Sequence, residues 1–177
     1  MNNFLIENKI KKTLKKNESR QKIFRNLKKI RTILVLLDTE DYEEVDVFID
    51  HLERMGKKVI SYAYKNKKDE YDYSETPYII IDHREISGIF KNKLEKIVAE
   101  VKKMHYDALF DMTIRKTPAI EYVAASANAY LKVGCKKNCQ QIYDFTICPI
   151  KNSNEDSFNT RELGKQILHY LSTIRSI

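Results

Sequence analysis

Apolar and polar residues follow one another in blocks along this chain, and the blocks have the lengths of strands and helices. Residues 32–37 (TILVLL) form an apolar run between polar neighbours. Such a run is typical of a strand buried on both faces of a parallel sheet. Similar runs predict further strands over 59–64, 78–81, 106–110, 130–133 and 142–147.

Between these runs, apolar residues recur at three- and four-residue intervals, which predicts amphipathic helices. One such stripe consists of Val45, Phe48, Ile49 and Leu52. Gly56 follows it at the position where glycine commonly ends a helix. Further helices are predicted through 94–101, over 118–127 and through 163–174. Thr117 and Pro118 have the residue types of an N-cap and a first helical position.

Strands that alternate with helices predict an α/β fold of three layers, Rossmann-like or flavodoxin-like, with a mostly parallel sheet of five or six strands. The crossovers between parallel strands should be right-handed. Such sheets bind ligands at the carboxyl ends of their strands, near the point where the strand order reverses. The loops that follow the strands are therefore the first places to look for a site.

Charge divides the chain into two parts. The formal net charge is +7, but residues 1–31 hold 11 Lys and Arg against Glu7 and Glu18, and the remainder holds 21 against 23 acids. Apolar residues keep an approximate helical period over 4–29, with a break at 17–21, which predicts one long basic helix or two shorter ones. We divide the chain into a basic N-terminal helical segment, 1–31, and a single α/β domain, 32–177.

Two interpretations of the basic segment stay open. As a separable arm it would bind an acidic protein partner or, as a less favoured alternative, nucleic acid or a membrane surface. As part of the fold it would pack on the domain through Ile10, Leu14, Phe24 and Leu27. In the second case its lysines simply face solvent.

The loop after the fourth predicted strand is the main candidate ligand site. It runs from the strand end to a predicted helix N-terminus, where free backbone N–H groups attract anions. Arg115 offers a fork for phosphate or carboxylate, and the threonines offer hydroxyl groups. The predicted ligand-binding residues for a small anion are Asp111, Thr113, Arg115, Lys116 and Thr117.

Three other groups of reactive residue types are interpreted as structural. The acids in 38–41 suit a helix start better than a metal. The charged run 82–85, which contains His83, is typical of a solvated loop. Cys135, Cys139 and Cys148 lack the spacing of a zinc site, even with His169 as a fourth ligand, and Cys148 is expected in the core.

Several familiar activities lose support because their motifs are missing. The sequence contains neither GxGxxG nor GxxxxGK[ST], and neither GxSxG nor HExxH. We therefore predict no cofactor and no metal, and favour a binding module over an enzyme. The N-terminus lacks a signal-peptide pattern and the cysteines are three in number, so we expect a cytoplasmic protein.

Two segments carry a resemblance to a known family, 106–113 (YDALFDMT) and 124–134 (AASANAYLKVG). They resemble the N-terminal domain of heptosyltransferase-type glycosyltransferases. The resemblance implies the Rossmann-like half of a two-domain fold, in which the other half largely holds the nucleotide sugar, and Asp111 matches the acid at the strand end. Residues 113–116 depart from that family's Gly- or Asn-containing loop. The layout as a whole also resembles a small uncharacterised bacterial family, a domain of unknown function.

These observations lead to one function hypothesis and two alternatives. The leading hypothesis is a non-catalytic Rossmann-like module that acts through a protein partner. The first alternative is binding of an anion or a nucleotide-sugar-related ligand at the strand ends. The second is an adaptor that contacts nucleic acid or a membrane through the basic helix.

Overall fold

A parallel sheet forms the middle layer of the molecule. The computed structural model describes residues 3–86, 92–135, 141–148 and 158–174. The strands are β1 (Thr32–Asp38), β2 (Lys58–Lys65), β3 (Ile79–Asp82), β4 (Tyr106–Asp111), β5 (Ala129–Cys135) and β6 (Phe145–Ile147). All six pair in parallel, in the order β3-β2-β1-β4-β5-β6.

Helices cover both faces of this sheet. They are α1 (Asn3–Lys16), α2 (Tyr42–Arg54), α3 (His83–Ile86), α4 (Asn92–Lys103), α5 (Pro118–Ser126) and α6 (Thr160–Thr173). Ile33, Val35 and Leu37 of β1 pack with α2 and α6, whereas Leu34 and Leu36 pack with α1, α4 and α5. This alternation explains the continuous apolar run of β1, because both of its faces are buried. The predicted three-layer Rossmann-like fold is confirmed.

The first β-α-β unit follows the sequence pattern closely. All four residues of the predicted stripe in α2 are buried. Gly56 has a φ of +75°, a left-handed conformation that glycine adopts without steric cost, and it ends the helix turn before β2. In the residues described, no helix combines the length and the apolar character needed to cross a membrane.

The N-terminal segment differs from a single long helix. Helix α1 ends at Lys16, and one turn of 3₁₀ helix follows at Leu27–Lys29. Ile6 and Ile10 are buried against α5 and its neighbours. Of the residues expected to pack on the domain, Ile10 and Leu27 are buried and Leu14 is partly buried, but Phe24 is 45% exposed.

Strand β6 is shorter than predicted, because it begins at Phe145 and not at Ile142. The side chains before it have other roles: Ile142 and Tyr143 are buried in the core beside α5. The Asp144 carboxylate accepts the backbone N–H of Lys132 at 2.9 Å. Pairing with β5 therefore starts only at Phe145, opposite Val133.

The connection from β5 to β6 is unusually brief for a parallel crossover. It spans residues 136–144, fewer than the dozen or so that a helical crossover needs. Helix α1 packs against α5 on this side of the sheet, and its C-terminal half lies over the end of α5.

Pro149 and the predicted loop over 151–157 lie outside the described residues.

Candidate functional site

The carboxyl ends of β1 and β4 lie side by side at the point where the strand order reverses. Leu36 pairs with Asp111 in the register of these strands, so the loops after Asp38 and Asp111 meet at one edge of the sheet. This is the place where doubly wound sheets bind ligands. Four of the five predicted site residues lie in the second loop, and the fifth, Asp111, ends β4.

Asp111 and Thr113 are brought together in a buried network. One carboxylate oxygen of Asp111 accepts the backbone N–H of Thr113 at 2.9 Å and its hydroxyl at 2.6 Å. The other oxygen accepts the hydroxyl of Tyr143. Asp111 is fully buried and Thr113 nearly so. This carboxylate is therefore an internal acceptor that fixes the start of the loop.

Tyr143 is the residue of this network that the sequence patterns missed. Burial, together with the Asp111 carboxylate, raises the pKa of its hydroxyl well above the ordinary value of 10. Its ring lies over Gly134, where a Cβ atom would come within 2.8 Å of a ring carbon. The only available signal was the glycine in a buried strand, which often marks a close approach by another group.

Arg115 extends from the second loop towards the acids of the first. Its guanidinium lies 2.6 Å from a carboxylate oxygen of Glu40 and 4.0 Å from one of Asp41. Burial raises the pKa of both Asp38 and Asp41. An anion approaching Arg115 would meet these acids, and it would have to displace Glu40.

Lys116 and Thr117 complete the predicted set. The Lys116 amine donates to Glu7 of α1 at 2.7 Å, and this hydrogen bond raises the pKa of Lys116 and lowers that of Glu7. Thr117 occupies the predicted N-cap of α5 with Pro118 at the first helical position, but its side chain makes no capping bond. The anion site at this edge stays a prediction. Both of its cations already have carboxylate partners.

The residues of the other candidate groups, the charged run 82–85 and the cysteines, have separate structural surroundings. The Tyr64 hydroxyl and Nδ1 of His83 are hydrogen-bonded at 2.7 Å, and the Arg84 guanidinium lies 3.0 Å from a carboxylate oxygen of Asp82. Cys135 is buried in β5, whereas Cys148 is exposed, because β6 ends one residue before it. The expectation that Cys148 lies in the core is therefore wrong. Cys139 lies outside the described residues, among which no three potential ligands gather around one point.

Lys132 is a second residue that the patterns missed, although a lysine inside the strand YLKVG is a visible anomaly. It is buried on the face of β5 that α5 and α1 cover. Its amine donates to the carbonyl oxygens of Ala124 and Ala125, at 2.7 and 3.0 Å, in the last turn of α5. Burial, together with the neighbouring Arg20, lowers its pKa to about 7.

The strand order 3-2-1-4-5-6 and the α/β alternation define a Rossmann-type doubly wound protein. Its fold is similar to that of a solved structure, "E. coli heptosyltransferase WaaC with ADP", with a TM-score of 0.53 and 10% sequence identity. The match covers 82% of this chain and 49% of that enzyme, so the chain spans about half its length. At this identity the likeness concerns the fold alone.

The sequence comparison is more specific about family. Residues 2–174 match the model of a family of unknown function, DUF6913, and the chain belongs to that family. No curated protein matches the sequence. Both resemblances predicted from the sequence, to a domain of unknown function and to the heptosyltransferase-type fold, are therefore confirmed.

Proposed function

We propose that this protein is a binding module that holds an acidic protein partner on the outer face of α1. The observation that carries the proposal is a row of exposed lysines on one side of that helix. Lys11, Lys12, Lys15 and Lys16 are all exposed. Their spacing of one and four residues puts them on neighbouring positions of the helix surface.

The helix that carries this row is held against the domain. Ile6 and Ile10 are buried in the core, and the Lys9 amine pairs with Glu95 of α4. The lysines are therefore presented on a fixed surface, and binding an acidic partner does not require the helix to fold first. Preorganisation of this kind strengthens binding because less conformational entropy is lost.

A protein is the partner that suits this face best. Phe4 and Leu5 are 65% and 47% exposed. They precede the lysines by seven residues, so they lie on the same side of the helix. An acidic segment with one or two apolar side chains would match both features. A membrane surface is disfavoured because the apolar stripe that would enter the lipid is already packed on α5.

Charge pairing elsewhere supports this choice of surface. At the carboxyl edge of the sheet, Arg115 and Lys116 have Glu40 and Glu7 as partners. In the part of the chain that the structure describes, Lys12 and Lys16 have no carboxylate within ion-pair distance. Long-range attraction of an acidic partner would therefore be strongest near α1.

The test is a titration of the full chain with a fluorescein-labelled, glutamate-rich peptide that contains leucine. We expect binding that weakens steeply with salt, because screening shortens to about 8 Å at 0.15 M ionic strength. The double variant Lys12→Glu/Lys16→Glu should lose most of the affinity. Its matched control is Lys28→Glu/Lys29→Glu, which changes the net charge equally at exposed positions outside α1.

Two outcomes would refute the proposal. Equal losses in the two double variants would mean that net charge alone drives the association. Tighter binding of single-stranded RNA, or of vesicles with anionic lipid, than of the peptide would favour the alternative partners. Retention of peptide binding after Phe4→Ser/Leu5→Ser would show that the apolar pair contributes nothing, and would reduce the proposal to charge alone.

A further inference from the structure

A cavity of about 590 Å³ lies beside the C-terminal half of α1. Its lining includes Lys11, Leu14, Lys15, Lys132, Ile142 and Tyr143. The volume is in the range of sites that hold small molecules.

The described lining of this cavity is strongly cationic. Arg20 donates to both oxygens of Asp144, at 2.5 and 2.6 Å, and Lys22 lies 3.4 Å from the same carboxylate. Asp144 therefore serves two cations. Within the described residues, no carboxylate lies at ion-pair distance from Lys11, Lys15 or Lys132, and Glu18 is the acid that lines the cavity.

Lys132 contributes a buried amine that has one more N–H donor than its two carbonyl acceptors use. An ammonium group has three N–H donors. Two of them reach the carbonyl oxygens of Ala124 and Ala125, so this lysine satisfies the last turn of α5. The third remains for a ligand in the cavity. The structural role and the ligand role are compatible because they use different hydrogens.

We propose that this cavity binds a small phosphomonoester with an apolar body, with Lys132, Lys11 and Lys15 holding the phosphate. A dianion matches the surplus of positive charge, and hydrogen bonds between charged partners are the strongest kind available here. Leu14, Ile142 and the ring of Tyr143 offer apolar surface to the rest of the molecule. This site shares Lys11 and Lys15 with the proposed partner surface, whereas Lys12 and Lys16 belong to that surface alone and line a separate, smaller depression beside α4 and α5.

Binding should be coupled to uptake of a proton. Burial, together with Arg20 and Lys22, lowers the pKa of Lys132 to about 7 while Asp144 opposes the shift, so its amine is mostly neutral at pH 8. A bound dianion would favour the charged form of the amine. The Tyr143 hydroxyl does not compete, because its pKa is raised well above 10.

The experiment is isothermal titration calorimetry of the full chain with phenyl phosphate at pH 8, in two buffers of different ionisation enthalpy. We expect phenyl phosphate to bind more tightly than inorganic phosphate, with net proton uptake. Lys132→Met should weaken binding about tenfold and abolish the uptake. Absence of binding at millimolar phenyl phosphate would overturn the proposal, as would proton uptake that persists in Lys132→Met.

A second pair of variants keeps the test decisive if Lys132→Met does not fold. Lys15→Ala and Lys12→Ala remove one exposed lysine each from the same helix, but only Lys15 lines the cavity. We expect an affinity loss of about threefold or more for Lys15→Ala and no change for Lys12→Ala. Equal effects of the two substitutions would refute the site. Equal affinity for inorganic and phenyl phosphate would refute the apolar part of the proposed ligand.

Discussion

The carboxyl edge of the sheet and the cavity beside α1 differ in whether their cationic side chains have carboxylate partners. At the edge, Arg115 faces Glu40 at 2.6 Å and Lys116 faces Glu7 at 2.7 Å, and the Asp111 carboxylate is enclosed by its own donors. At the cavity, the Asp144 carboxylate serves both Arg20 and Lys22, while Lys11, Lys15 and Lys132 have no carboxylate at ion-pair distance among the described residues.

The usual ligand position of a fold and the position of unpaired charge in a particular chain are therefore two different properties. The strand order says where ligands usually bind in a doubly wound sheet. The distribution of unpaired charge says where this particular chain has attraction left to offer. Here the two locations differ, because the loops at the edge carry acids that pair with the local cations, whereas Lys11, Lys15 and Lys132 at the cavity have no carboxylate at ion-pair distance among the described residues.

The largest expected effect concerns whether α1 is part of the fold at all. Ile10→Ala removes a fully buried side chain between α1 and the domain, which should lower the free energy of unfolding by about 2–5 kcal/mol. Phe24→Ala, at a position 45% exposed in the same segment, should change it by less than about 1 kcal/mol. Urea unfolding measures both. Equal, small effects would mean that the segment is a separable arm.

The next effect tests the packing between the two regions. Gly134→Ala would place a Cβ within 2.8 Å of the Tyr143 ring, and we expect a loss of about 1–3 kcal/mol in unfolding free energy. In a Tyr143→Leu background the same substitution should cost less than half as much, because the opposing ring atoms are gone. A double-mutant cycle gives the comparison directly. Additive losses would contradict the close contact.

The lowered pKa of Lys132 predicts the direction in which the free energy of unfolding changes with pH. Its pKa falls from 10.5 in the unfolded chain to about 7 in the fold, so between these values the unfolded state binds more protons. Unfolding free energy should therefore rise with pH from about 7 towards 10, with a contribution of up to about 1.4 kcal/mol per pH unit. In Lys132→Met this contribution should vanish. A parallel pH profile in the variant would show that the amine is not buried in solution.

The smallest effect concerns the carboxyl edge. Glu40→Gln removes the nearer carboxylate partner of Arg115 and, because the pair is substantially exposed, should change stability by less than about 1 kcal/mol. The freed guanidinium should then bind inorganic phosphate better than the parent protein does, and Arg115→Ala should cancel the gain. NMR shifts of the backbone amides of residues 113–117 report this binding. Unchanged shifts there in Glu40→Gln would remove the predicted anion site.

The fold was predictable because its signals are local. The buried run of β1, the stripe of α2 and the glycine at position 56 each depend on a few neighbouring residues, and the observed elements follow them closely. The N-terminal segment was less predictable, because Arg20 and Asp144 are 124 residues apart. No periodic pattern reveals a contact of that range.

The candidate residues show the same limit. Asp111, Thr113, Arg115, Lys116 and Thr117 were correctly expected at a strand end and a helix start, but their partners come from elsewhere. Glu7 comes from α1, Glu40 follows β1, and Tyr143 precedes β6. Lys132 was overlooked because its significance depends on burial beneath α5, and a strand pattern alone does not distinguish a buried lysine from a solvated one.

The place of α1 in the fold has a consequence for biosynthesis. The α5 and β5 surface that receives this helix is synthesised more than a hundred residues after it, as the 109-residue separation between Arg20, just beyond α1, and its acceptor Ala129 shows. Such distant contacts slow folding, because a long loop must close before they form. Until then the nascent chain carries a lysine-rich helix with an uncovered apolar stripe, a state in which chaperone contact or aggregation competes with folding.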